Sequence, residues 1–91
     1  MDKTVGFAIV GRSGDFLRFE QVSDNGVEIY TTEKAKDATL FNTNEDAVRE
    51  ACSMISGNGK WDYQFLDEDT PIGVVELTIL AYVSDIEKLV I

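Results

Sequence analysis

The sequence predicts a two-layer α+β sandwich in which one helix covers an antiparallel sheet of four to five strands, in the chain order β-β-β-α-β-β. Three observations predict it. The first 32 residues are short β-rich runs separated by glycine-containing turns. One segment, 43–56, carries apolar residues at helical spacing. Two further β-rich runs follow that segment, one of them built on alternating aromatic residues. The 91 residues fit one domain spanning 1–91, and 44% of them are hydrophobic. A chain of this size buries roughly 60–65% of its unfolded surface, enough for a core without metal or disulfide support.

The elements follow in order. Val5-Gly6-Phe7-Ala8-Ile9-Val10 is apolar at nearly every position, as in a central strand covered on both faces. Gly11-Arg12-Ser13-Gly14-Asp15 is a turn. In the second strand, 16–22, Leu17 and Phe19 point one way while Arg18 and Glu20 point the other. Asp24-Asn25-Gly26 predicts a type I′ hairpin turn, because Asn-Gly tolerates the positive φ angles which that turn needs. Val27-Glu28-Ile29-Tyr30-Thr31-Thr32 completes a three-stranded meander. Segment 33–39, with Ala35 and Ala38 three apart, reads as one helical turn or a loop, ended by Leu40 and Phe41.

Segment 43–56 is the helix. Thr43 or Asn44 can cap it, and Glu45 and Asp46 stand in the first turn where the helix dipole favours anions. Ala47, Val48, Ala51, Cys52 and Ile55 form a single apolar stripe, and Gly57 suits the position just past the end. Trp61, Tyr63 and Phe65 alternate with Asp62 and Gln64, giving a strand whose aromatic face is expected in the core. After the polar loop Asp67-Glu68-Asp69-Thr70-Pro71, residues 72–83 form the longest strand pattern, which pairs with the aromatic strand as a hairpin. Segment 85–91 suits either a short helix or an edge strand.

Composition excludes several kinds of chemistry. One cysteine permits no disulfide within the chain. The absence of histidine removes the usual zinc sets and the common catalytic triads. Cys52 lies on the helix stripe without a possible histidine partner and is expected to be a buried structural thiol. The Gly11-Arg12-Ser13-Gly14 run lacks both the Lys-Ser/Thr ending and the following helix of a phosphate loop. The Asp67-Glu68-Asp69 run lacks calcium-loop spacing and reads as a solvated loop rather than a metal site. No cofactor is expected. The short apolar stretch 5–10 is not a secretory signal, and Glu76 interrupts the longest apolar run, so the expectation is a cytoplasmic protein without a transmembrane helix.

Eight Lys and Arg against seventeen Asp and Glu leave a net charge of −9. That balance argues against direct binding to nucleic acid or anionic lipid and is compatible with a basic partner protein. The charge is uneven. Residues 61–87 hold seven acids (Asp62, Asp67, Glu68, Asp69, Glu76, Asp85 and Glu87) and no base. Such a run can copy the phosphate spacing of a nucleic acid, although excess acid also simply favours solubility.

At Tyr30-Thr31-Thr32, Ala35, Ala38, Phe41, Thr43 and Asp46-Ala47 the chain resembles small uncharacterised proteins of phages and mobile elements. Their pattern is a short meander, an Ala, Phe, Thr, acid-Ala run into one helix, and a final strand, and the arrangement covers 5–83 here. The family brings no catalytic residues to transfer. The resemblance implies a small accessory protein acting by contact, of the type that inhibits host CRISPR or restriction systems. The expectation is therefore a non-enzymatic inhibitor in the host-cell cytoplasm, bound to a basic nucleic-acid-binding protein. Asp62, Asp67, Glu68, Asp69, Glu76 and Asp85 would carry the attraction. The alternative is a homodimer or larger homo-oligomer, or a virion-associated structural protein, joined through Leu89-Val90-Ile91 or an exposed strand edge.

Overall fold

The β-rich runs become five strands and the apolar stripe becomes one helix. In a computed structural model describing residues 3–57 and 59–80, the elements are β1 (Lys3–Gly11), β2 (Phe16–Gln21), β3 (Gly26–Thr32), α1 (Asn44–Ser56), β4 (Asp62–Gln64) and β5 (Pro71–Leu80). Single 3₁₀ turns occur at Ala35–Asp37 and Asp67–Asp69. The strands form one sheet in the order β4-β3-β2-β1-β5. The fold is α+β with the predicted element order. The expected strand or helix at 85–91 lies outside the described residues.

The sheet is mixed rather than wholly antiparallel. β1 pairs antiparallel with β2 and β5, and β2 with β3, but β4 runs parallel to β3, with Val27 opposite Tyr63. The reason is that α1 lies between β3 and β4 in the chain and returns it to the starting end of the sheet. A helical crossover makes neighbouring strands parallel, whereas a tight turn makes them antiparallel. The expected pairing of β4 with β5 does not form, because these strands occupy opposite edges of the sheet.

The meander is also not a simple one. β1 and β2 pair beside their turn, Val10 opposite Phe16, and then separate. Segment 39–41 fills the gap. Phe7 N–H donates to the Phe41 carbonyl and Phe41 N–H to the Phe7 carbonyl, each at 2.9 Å. On the other side Thr39 N–H donates to the Leu17 carbonyl at 3.1 Å, and Phe19 N–H donates to Thr39 Oγ1 at 2.8 Å. The wedge satisfies backbone groups that the splayed strands would otherwise leave without partners. Gly6 permits it, since a Cβ there would lie 2.9 Å from Leu40 Cβ.

The Asn25-Gly26 turn is wider than type I′. No non-glycine residue among those described has positive φ, and Gly26 does not either. Instead Val22 N–H donates to the Gly26 carbonyl at 2.9 Å, and Gly26 N–H donates to Ser23 Oγ at 2.9 Å. The Asn25 carbonyl is then free to accept Asp62 N–H at 2.6 Å, which seats the start of β4.

Helix α1 starts and stops as its sequence dictates. Thr43 is the cap, its Oγ1 accepting Asp46 N–H at 3.0 Å. Gly57 ends the helix at φ 69°, a left-handed conformation that a side chain would strain. The face that packs is turned away from the expected one. Ala47, Ala51 and Met54 are buried and meet Ile9, Leu17, Val27 and Ile29 of the sheet. Val48, Cys52 and Ile55 are exposed, so Cys52 is not the buried thiol expected. The partly buried Phe19, Phe41, Trp61, Tyr63 and Phe65 pack against this core, while the helix itself lies mainly over β1 and β5. Ile9 and Leu17 are fully buried, each contributing about 1.5–3 kcal/mol by removal from water.

Candidate functional site

The acidic loop of the sequence becomes part of a two-layered corner. The β1–β2 turn closes on itself through Gly11 N–H to the Asp15 carbonyl at 3.0 Å. Its outer side docks on the 67–70 turn. Arg12 N–H donates to the Thr70 carbonyl at 2.9 Å and Ser13 N–H to the Glu68 carbonyl at 3.0 Å. Within the acidic turn Thr70 Oγ1 donates to the Asp67 carbonyl at 2.7 Å.

The three carboxylates of that turn have three different roles. Asp69 is 5% exposed. Its Oδ2 accepts Leu66 N–H at 3.1 Å, while its own N–H donates to the Leu66 carbonyl at 2.9 Å. It is a structural residue, closed to a partner. Asp67 is exposed but ion-paired, with Arg12 Nη1 donating to its Oδ2 at 2.8 Å. Glu68 is exposed and its carboxylate has no ion-pair partner among the described residues. A stretch without a base in sequence is thus partly neutralised by a base 55 positions away.

The remaining predicted residues do not join this corner. Asp62 opens β4 at one edge of the sheet and Glu76 lies on β5 at the other. Between those edges lie β3, β2, the 39–41 wedge and β1. Asp62 lies instead beside the 22–25 loop, which carries Asp24. Asp85 lies outside the described residues. The single acidic hairpin expected from 61–87 is therefore replaced by separate exposed acids on two edges and one corner. No cluster of three or more cysteine, aspartate or glutamate side chains that could hold a metal occurs among the described residues. No helix there is long and apolar enough to cross a membrane.

All three arginines are already committed. Besides Arg12 with Asp67, Arg18 pairs with Glu20 at 3.0 Å and Arg49 with Asp46 at 3.1 Å. Each fork that would otherwise recognise a phosphate already faces a carboxylate.

A second feature escaped the sequence reading. Between α1 and the sheet lies an open pocket of about 220 Å³, with Phe19, Gln21, Phe41, Glu50 and Trp61 in its lining. Phe19 stands edge-on to Phe41 at 5.8 Å between ring centroids and to Tyr63 at 6.1 Å. Glu50 accepts the Tyr63 hydroxyl. Burial, first, and then this hydrogen bond and the Glu50 charge push Tyr63 above its ordinary value of 10.0, because each disfavours the phenolate. The signal was present in the spacing: Glu50 falls three after Ala47 and four before Met54, on the buried face. With these geometries established, comparison with known proteins found no matching protein-family model, curated protein or solved structure.

Proposed function

We propose that this chain acts by contact, as a small acidic inhibitor of phage type that binds the basic, nucleic-acid-binding surface of a host defence protein in the host cytoplasm. The observation that carries this reading is the disposition of charge. The net charge is −9, every arginine is paired to a carboxylate, and Asp62, Glu68 and Glu76 are exposed without a cationic partner among the described residues. Acids on both edges and at one corner suit a groove that surrounds the protein better than a flat patch. Charge of this kind sets association rate and partner choice, while buried apolar contacts supply most of the affinity.

The test is capture of the target from host lysate, followed by measurement with the purified partner. Association that weakens steeply with rising salt, and a target whose nucleic-acid binding is blocked by the chain, support the reading. Charge reversal at Asp62 and Glu68 should slow association while leaving the circular-dichroism spectrum unchanged. Association indifferent to salt would overturn the mimicry.

One observation favours a second reading, self-association. β5 is a ten-residue edge strand among the described residues, and its exposed Ile72 lies near exposed Val48 and Ile55 on α1. Unpaired edges of that length invite strand addition. Sedimentation across a range of concentrations decides it, since a strict monomer rules this reading out.

A further inference from the structure

We infer that the aromatic pocket between α1 and the sheet is a binding site for an alkylammonium or alkylguanidinium group, the chemistry of a lysine or arginine side chain, with Glu50 as its counter-ion. The site is separate from the exposed acids discussed above and does not require them, so either reading can fail without the other.

The lining supplies what an organic cation needs and little that an anion could use. Phe19, Phe41 and Trp61 offer ring surface, whose electron-rich faces attract cations and whose carbon bodies cover an apolar stem. Trp61 already shows this preference, with Lys60 Nζ 5.2 Å from its ring centroid. Lys60 is exposed and is not part of the pocket lining.

Glu50 supplies the charge. Its carboxylate is half-buried, and among the described residues its neighbour is the Tyr63 hydroxyl, with no basic group within ion-pair distance. A tyrosine offers one proton, whereas a carboxylate has about four acceptor positions, so most of its capacity is unmet. A half-buried carboxylate beside aromatic walls gains more from a cation than an exposed one does, because water screens it less. Tyr63 also holds it in place, and that positioning lowers the ordering cost of binding. At the rim Gln21 Nε2 donates to the Ser23 carbonyl at 3.0 Å, leaving its amide oxygen as a further acceptor. Thr39 Oγ1 accepts Phe19 N–H at 2.8 Å.

Size limits the guest. A pocket of about 220 Å³ is smaller than the roughly 300–1,000 Å³ of drug-sized ligand sites, and fits one side chain or a small amine.

Trp61 is the only tryptophan, so its fluorescence reports the site directly. The full chain is titrated with n-butylguanidinium, n-butylammonium and, as the uncharged control, n-pentanol. A second arm uses a blocked Gly-Gly-Arg-Gly-Gly peptide and its glutamine counterpart. The expected result is saturable quenching by the cations and about tenfold weaker response to n-pentanol, the order of effect a charge-assisted contact provides. Glu50→Gln, which keeps an acceptor for Tyr63, should weaken cation binding about tenfold with an unchanged near-ultraviolet spectrum, while Glu68→Gln binds as the wild type does. Tighter binding of the arginine peptide than of free n-butylguanidinium assigns the site to a partner's side chain, and the reverse order assigns it to a free small cation. Equal response to n-pentanol, wild-type binding by Glu50→Gln, or no saturable response to either cation overturns the proposal.

Discussion

Asp69 and Asp67 are two positions apart in an acidic run, yet they do opposite things. Asp69 is buried and closes its own turn through Leu66 N–H, whereas Asp67 is exposed and pairs with Arg12. Removing a buried acceptor leaves its donor without a partner, at a cost of about 1–3 kcal/mol. An exposed ion pair is worth about 0–1 kcal/mol. Urea unfolding should therefore show Asp69→Ala losing stability by the larger amount and Asp67→Ala scarcely moving; equal losses would contradict the assignment. Tyr63 makes a pH prediction. Its folded pKa lies above the ordinary 10.0, so the unfolded chain releases that proton first. The stabilisation is complete below pH 10 and is lost as pH rises through the higher folded value. Tyr30 is raised too, chiefly by its hydrogen bond to Glu28, but it is exposed. Stability measured across alkaline pH should fall less steeply in Tyr63→Phe than in Tyr30→Phe, because only Tyr63 is also packed against the core.

At the scale of elements, the boundaries of α1 were readable because caps are local chemistry. Thr43→Ala removes the acceptor of Asp46 N–H and should cost about 1 kcal/mol, checked by the unfolding midpoint. Which way the helix faces was not readable. Its apolar residues cover a broad arc that includes Val48, Cys52 and Ile55 as well as Ala47, Ala51 and Met54, and only the partner surface selects among them. Here that surface is β1 and β5, over which the helix lies, and against it Ala47, Ala51 and Met54 turn inward. Cys52 is left exposed, so a thiol reagent should label it under native conditions about as fast as a free cysteine. Labelling that required denaturant would mean the helix is rotated otherwise. The Asn25-Gly26 turn failed for a related reason. Its hairpin preference is genuine, but a wider loop frees the Asn25 carbonyl to anchor β4, and that requirement comes from 37 positions further along the chain.

For the whole molecule, charge is the dominant surface property. Three exposed ion pairs among the described residues contribute little, while a net charge of −9 on a small body repels itself. Raising ionic strength from about 10 to about 150 mM shortens the Debye length to roughly 8 Å and should raise the unfolding midpoint. A fall would mean that the ion pairs outweigh the repulsion. The acids do not share one hairpin, so charge reversals at Asp62 and Glu76, on opposite edges of the described sheet, should affect any partner nearly additively.

The sequence by itself determined the α+β class, the element order, the helix caps and the excess of negative charge. Each of these depends on residues close together in the chain, or on composition alone. The tertiary structure decided the parallel pairing of β4, the wedge at 39–41, the orientation of α1, the burial of Asp69 and the meeting of Glu50 with Tyr63. These depend on which surfaces meet across the sheet, and strand alternation does not say which edge a strand joins. Two strands that follow each other across a short loop look like a hairpin in sequence. Here the sheet edges open to them were at opposite sides, and the acidic stretch was divided accordingly.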